Sequence, residues 1–298
     1  MKKILAVLCM CCLVLSAAYP AAAEGKNVVV SFYPLYIFAM NVIGDIPGIS
    51  LSRLSSNQTG CLHDYQLVTG DMVSLSTADL FLINGAGMEG FLETAAEAFP
   101  ELRTVSCSEG IELIKNDEGA ETEYNAHVWL DPGNAIIMVK NIRDALIVLA
   151  PEYEERLEVN AESYIRRLQD LDEKLKTGLA PLEKRDIVTF HEAFPYFARA
   201  YGLNVIAVIA LEPDEGISPR MLAELIEKVS AAGSPPLFTE PQYQSDAALA
   251  VSAETGAPVR ELDPAVTGPL ACDAYENIML KNLEVLIETL GGNNIPEH

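Results

Sequence analysis

The most periodic segment of the chain lies near its middle, between Pro151 and Gly178. Apolar side chains recur there at steps of three or four residues, and charged side chains occupy the other positions. The apolar stripe consists of Tyr153, Leu157, Ala161, Tyr164, Leu168, Leu171 and Leu175. This spacing predicts one helix of roughly 25 residues, with Pro151 in its first turn and Gly178 at its end. Such a helix connects the segments on either side as a rigid rod rather than as a flexible linker.

Both flanks of this helix alternate short apolar runs with helix-like stretches, a pattern typical of parallel sheets covered by helices. The expected strands are 27–32, 49–54, 79–83 and 102–105 before the helix, and 186–190, 204–209, 237–239 and 259–262 after it. The expected shorter helices are 34–43, 71–76, 89–99, 193–201, 219–229 and 245–255. We therefore expect two α/β lobes, 24–150 and 181–298, joined by a long rigid helix within 151–180.

The first 23 residues have the features of a secretory signal peptide. Lys2 and Lys3 precede an apolar run over 4–18, and a small-residue cleavage site follows at 21–23. An uncleaved membrane anchor is the alternative, but the run is shorter than the ~20 residues that a membrane-spanning helix needs. No lipid anchor is expected, since none of the three leader cysteines follows a Leu-small-small pattern. The sequence thus predicts an exported protein, periplasmic or at the cell surface, cleaved near Ala23.

The net charge of the chain restricts the kinds of molecule that it can bind. The chain carries 43 acidic and 20 basic residues, a formal net charge of -23, without a basic cluster. Nucleic acid is therefore excluded as a partner. We also expect a monomer.

Beyond the leader, the chain contains three cysteines, Cys61, Cys107 and Cys272. Their spacing fits no structural zinc motif, and their disulfide state stays open.

Three of the four histidines lie where a parallel sheet binds ligands. His191 follows an expected strand directly, whereas His63 and His127 lie in loops after the second and fourth strands. Asp263 likewise follows the last expected strand. Ligands of open parallel sheets bind at the carboxyl ends of the strands. Three imidazoles and one carboxylate, two from each lobe, predict a four-coordinate site for zinc, with manganese as the alternative.

Other interpretations of these residues stay open at this point. Each histidine, taken alone, fits a hydrogen-bonded structural role, and Asp263 before Pro264 fits a turn or a helix cap. The pair His191-Glu192 begins like the zinc-protease motif H-E-x-x-H, but Pro195 stands where the second histidine is required. This substitution argues against a metalloprotease.

The ordered motifs resemble a known family along nearly the whole mature length. They are SFYPLYIFAMNVIGD, HDYQLVTGDMVSLSTADLFLINGAGMEGF, HVWLDPGNA, HEAFPYFARAYGL, and FTEPQ followed by ELDP and Tyr275. They are similar to the zinc- and manganese-binding receptors of bacterial ABC importers, the cluster A-I solute-binding proteins. The resemblance implies a binding protein rather than an enzyme, Zn²⁺ or Mn²⁺ as transported cargo, and ABC permease membrane subunits as partners. It also implies that His63, His127, His191 and Asp263 are the metal ligands.

Departures from the family bear on the metal. Residues 115–126 form a short acidic segment without histidine, where many zinc receptors carry a long His-rich loop. Leu62 occupies a position at which some members have a carboxylate, so Asp263 or a water must complete the metal shell. His191 resembles the zinc-type pattern, and imidazole ligands favour zinc over manganese. The alternatives to a metal receptor are a secreted zinc-dependent hydrolase and a surface adhesin.

Overall fold

The computed structural model describes residues 25–54, 65–116, 122–208, 217–242 and 246–291. The predicted signal peptide and His63 lie outside these residues. The first half of the chain alternates strands and helices, as its hydrophobic pattern predicts. Its elements are β1 Lys26–Val30, α1 Tyr33–Ile43, β2 Ile49–Arg53, α2 Thr69–Ser76, β3 Leu80–Ile83, α3 Leu92–Ala98, β4 Thr104–Ser106 and α4 Pro132–Leu149.

The four strands of this half form one parallel sheet in the order β2-β1-β3-β4. Val28, Val29 and Val30 of the central strand β1 are all buried. β-branched residues suit this position because a parallel sheet is covered on both faces.

The predicted long helix is α5, Glu154–Leu179. From Leu157 to Leu175, the predicted apolar stripe is buried along its whole length, as the periodicity requires. Pro151 begins a short 3₁₀ turn, Pro151–Tyr153, instead of occupying the first α-helical turn. Gly178 lies in the last turn of α5, where an added Cβ would lie 2.9 Å from Leu283 Cδ1. The glycine thus allows close packing against the helix that carries Leu283.

The second half repeats the architecture of the first. Its four strands are also parallel, in the order β6-β5-β7-β8. Its elements are β5 Asp186–Thr189, α6 Pro195–Tyr201, β6 Asn204–Val208, α7 Pro219–Ala231, β7 Leu237–Thr239, α8 Asp246–Thr255, β8 Val259–Glu261 and α9 Ala274–Leu290. The predicted fold class, two α/β lobes with a long helix between them, is confirmed.

The hydrophobic core does not divide where the lobes do. One continuous cluster extends from the first sheet through α5 to side chains of α6 and α9. A smaller second cluster fills the space between β5, β7, α7 and α8. Shared burial of this kind couples the two lobes through packed side chains.

Two further observations concern the cysteines and the membrane. Cys107 is a buried free thiol and Cys272 an exposed one. Among the described residues, no helix combines the length and the apolar character needed to cross a membrane.

Candidate metal centre

His127 and His191 come from different lobes and meet at the carboxyl ends of the two sheets. His191 lies two residues beyond β5, and His127 immediately precedes a 3₁₀ turn, Val128–Leu130, that leads into α4. The two imidazole rings pack edge to face, with centroids 4.7 Å apart and planes at 81°. His127 is buried, and 19% of the His191 side chain is exposed. Two imidazoles in contact, one from each lobe, supply nitrogen ligands of the type that zinc accepts.

Asn125 fixes the position of His127 and connects the two histidine loops. Its Oδ1 accepts a 3.0 Å hydrogen bond from the backbone N–H of His127 and lies 3.3 Å from Nδ1 of the same residue. Its Nδ2 donates a 2.8 Å hydrogen bond to the carbonyl oxygen of Glu192, next to His191. If Nδ1 of His127 carries the ring proton, Asn125 accepts it and the Nε2 lone pair is presented to a metal.

Glu240 lies beside His191. It directly follows β7, is 2% exposed, and its Oε1 lies 3.4 Å from His191 Nδ1. A buried carboxylate next to an imidazole is the arrangement by which proteins orient metal-binding histidines. It also adds negative charge at a site suited to a cation.

Asp263 is held by hydrogen bonds from three sides. Its backbone N–H donates to Asn282 Oδ1 and its carbonyl oxygen accepts from Asn282 Nδ2, both at 2.8 Å. Its carboxylate accepts from the backbone N–H of Ala265 at 2.8 Å and from the side chain of Gln242.

Burial and neighbouring charged groups affect the pKa of the Asp263 carboxyl. Burial raises the pKa of this carboxyl above its usual range, the nearby Glu240 carboxylate raises it further, and the donated hydrogen bonds oppose the rise. Burial, followed by the charge of Asp263, also raises the pKa of Tyr33 to about 12. A divalent cation beside Asp263 would favour its charged form.

The structure therefore brings some of the predicted ligands together. His127 and His191 are in direct contact, and the Asp263 carboxyl interacts electrostatically with Glu240, which contacts His191. His63 lies outside the described residues. Within the described part of the chain, no group of three or more His, Cys, Asp or Glu side chains is arranged to hold a metal. The four-residue ligand set stays a prediction.

Three residues of the centre were not singled out by the sequence pattern: Asn125, Glu240 and Gln242. A signal for Glu240 was present, since it follows strand β7 directly, as His191 and Asp263 closely follow β5 and β8. Asn125 gave no such signal, because its role depends on a contact with the other lobe.

Two parallel sheets, a long helix between them and histidines in contact from both lobes define a two-lobed α/β protein. The sequence profile of the family described as "Zinc-uptake complex component A periplasmic" matches residues 28–289. The chain belongs to this family.

Two curated relatives bear names that refer to zinc. The "Zinc-binding lipoprotein AdcA" of Streptococcus pneumoniae is 31% identical over 310 residues, covering 97% of this chain and 61% of that protein. The "High-affinity zinc uptake system protein ZnuA" of Bacillus subtilis is 29% identical over 313 residues, covering 95% of this chain and 96% of that protein. The chain thus spans about three fifths of the length of the AdcA relative.

A solved structure agrees with this placement. It is the crystal structure of the Zn(II)-bound ZnuA-like domain of Streptococcus pneumoniae AdcA, which is 30% identical to this chain. The TM-score is 0.76, and the match covers 89% of this chain and 99% of that domain.

Proposed function

We propose that this protein is an exported receptor that captures Zn²⁺ and delivers it to an ABC permease for import. The observation that carries the proposal is the contact between His127 and His191, whose rings meet from opposite lobes at 4.7 Å. Family membership and the zinc-related names of the relatives support it.

We propose His63, His127, His191 and Asp263 as the ligands, with Asp263 or a water completing the shell. The imidazole-rich donor set favours Zn²⁺ over Mn²⁺, because affinity at such sites follows the Irving–Williams order. The carboxylates of Glu240 and Asp263 would offset the charge of a divalent ion. Manganese is the alternative cargo.

A receptor is favoured over a secreted zinc hydrolase. A hydrolytic zinc site keeps an open coordination position for water and needs a general base within reach of the substrate. Glu240 is the acid beside His191, but at 2% exposure it is poorly placed to activate a water on a substrate. The family to which the chain belongs is named for zinc uptake.

Delivery to a permease requires that the protein act outside the cytoplasm. The signal-like first 23 residues support export, with cleavage near Ala23. Mass spectrometry of the exported protein tests this: a mature chain beginning near Glu24 is expected, and an intact leader would contradict it. Zinc-limited growth of cells that lack the receptor, but retain their ABC permeases, tests delivery.

Metal content and competition test the cargo. Elemental analysis of protein purified without added metal should find close to one zinc per chain. Titration of the metal-free protein with Zn²⁺ and Mn²⁺, separately and in competition, should give the tighter binding for Zn²⁺. Absence of bound zinc together with preferred Mn²⁺ binding would change the cargo, and failure to bind either ion would overturn the proposal.

A further inference from the structure

The loop after β7 lies between two of the candidate ligands. The second sheet has the order β6-β5-β7-β8, so β7 is hydrogen-bonded to β5 on one side and to β8 on the other. His191 follows β5 and Asp263 follows β8, each two residues beyond the strand end. Because all these strands are parallel, the loop that begins at Glu240 emerges at the same edge, between the two ligands.

The Glu240 side chain is directed at His191, the first of these two candidate ligands. Its Oε1 is buried, lies 3.4 Å from His191 Nδ1, and has no ordinary hydrogen-bond partner among the described residues. A buried carboxylate oxygen without a donor is energetically costly, and the nearby His191 ring can supply one. Shortening this contact by a few tenths of an ångström would give a charge-assisted hydrogen bond from Nδ1–H.

The Gln242 side chain is directed at Asp263, the second candidate ligand. Its Nε2 donates a 3.1 Å hydrogen bond to Thr267 Oγ1, and its side chain also hydrogen-bonds to Asp263. The amide thereby connects the candidate ligand to the loop that follows it. One short segment, with only Pro241 between the two residues, therefore contacts the ligands from both neighbouring strands.

We infer that Glu240 and Gln242 are positioning residues that orient His191 and Asp263 for the metal without binding it themselves. Glu240 accepts the Nδ1 proton of His191 and so fixes the tautomer in which Nε2 faces the ion. Gln242 donates to the Asp263 carboxylate and restricts its rotation. The inference rests on the proposed metal-binding function and extends it to residues for which no role has been assigned.

Substitutions at Glu240 test the inference through a graded order of affinities. Zinc affinity is measured on the full mature chain by competition with a chromophoric chelator. Removal of such a supporting carboxylate lowers metal affinity by about 10- to 100-fold, and this loss is expected for Glu240→Leu. Glu240→Gln keeps an acceptor oxygen but loses the charge, so its loss should be smaller. Equal affinities in all three proteins would overturn the inference.

Two spectroscopic readouts separate positioning from packing and from direct ligation. In metal-free protein with ¹⁵N-labelled histidine, the His191 ring should be the Nδ1–H tautomer in wild type and a mixture in Glu240→Leu. An unchanged tautomer would contradict the positioning role. The Co²⁺-loaded protein should keep its band intensity in Glu240→Gln, since the coordination number is unchanged. A large change in intensity would make Glu240 a ligand and overturn the inference.

A matched control is available at another buried acid. Glu276 of α9 is 9% exposed and forms an ion pair with Arg167. Glu276→Gln should lower thermal stability and leave zinc affinity unchanged. If His191→Ala loses affinity and Glu240→Leu does not, only this inference fails. If wild type itself does not bind zinc, the proposed function fails.

Discussion

Trp129 Nε1 donates a 2.8 Å hydrogen bond to the carbonyl oxygen of Pro264, 135 residues further along the chain. Trp129 lies two residues after His127, and Pro264 directly follows Asp263. The hydroxyl of Tyr275 in α9 in turn donates to the carbonyl oxygen of Trp129 at 2.6 Å. The loops that carry a histidine from one lobe and a carboxylate from the other are thus joined by direct hydrogen bonds.

Trp129→Phe should weaken this connection. The substitution leaves the buried Pro264 carbonyl without its donor, which costs about 1–3 kcal/mol. We expect a lower midpoint of thermal unfolding and a several-fold lower zinc affinity, measured by chelator competition. Tyr201→Phe is the control, since it removes a hydroxyl hydrogen bond to Asp172 of α5 rather than one between the two loops that carry candidate ligands. A larger loss of zinc affinity in Tyr201→Phe than in Trp129→Phe would contradict the prediction.

Removal of single ligands should weaken binding far more than folding. His127→Ala, His191→Ala and His63→Ala each remove an inner-shell bond, so zinc affinity should fall by more than about tenfold. The far-UV circular dichroism should change little. His298→Ala removes a histidine at the end of the sequence and should bind as wild type does. Unchanged affinity in any of the three site variants would remove that residue from the ligand set.

The fold followed largely from periodicity. Strand β7 was predicted at its observed residues, and the buried stripe of α5 follows the predicted one. Two long helices, α4 and α9, had no counterpart among the predicted elements. In α4 the run Ala135-Ile136-Ile137-Met138-Val139 is apolar on all sides, so the helical period is weak there.

The centre was less accessible to sequence reasoning than the fold. The strand-end rule locates His191 and Asp263 because each follows a recognisable strand. The same rule does not predict which loops of the two lobes contact each other. The Asn125–Glu192 and Trp129–Pro264 contacts depend on how the lobes pack, and only the folded chain specifies this.

The buried carboxyl group of Glu89 should make the stability of the protein depend on pH, independently of the histidines. Its carboxylate is buried and accepts hydrogen bonds from Ser31 Oγ and from the backbone N–H groups of Asn84 and Gly85. Burial raises the pKa of Glu89, and these hydrogen bonds oppose the rise only in part. The folded state therefore holds this proton more tightly than the unfolded chain, in which a glutamate titrates near ~4.3.

The sign of the effect follows from this difference. The stabilisation due to the proton is complete below the unfolded-state pKa and is lost as pH rises through the folded-state pKa. Glu89→Gln carries no such proton. The free energy of unfolding of Glu89→Gln minus that of wild type should therefore increase from about pH 4.3 upward and then level off.

Urea unfolding of metal-free protein between acidic and neutral pH measures this difference. Loss of the acceptor for the Gly85 N–H adds a constant offset, so the slope with pH is the quantity to compare. Glu97→Gln, at an exposed position of α3, serves as the control and should give a nearly flat difference. A difference for Glu89→Gln that is flat or falls with pH would refute the assignment.

Arg167 connects α5 to both lobes through hydrogen bonds. Its Nε donates to Glu276 Oε1 of α9 at 2.8 Å, and its Nη2 donates to Asn41 Oδ1 of α1 at 3.0 Å. The same Nη2 donates to the carbonyl oxygen of Cys272. With the continuous core on either side, these bonds make α5 a rod that resists bending between the lobes.

Metal binding should accordingly act locally, with a small tilt of the second lobe and rearrangement of the loops around His191 and Asp263. Small-angle scattering of the metal-free and zinc-loaded chain should give the same radius of gyration, about 19 Å for a compact chain of this size. Zinc should still raise the midpoint of thermal unfolding by mass action, because the unfolded chain has no preformed site. Arg167→Leu removes the connection between α1, α5 and α9, so any difference in radius between the two states should be larger in that variant. A clear compaction of the wild-type protein on zinc binding would contradict the rigid connection, even with the metal site correctly assigned.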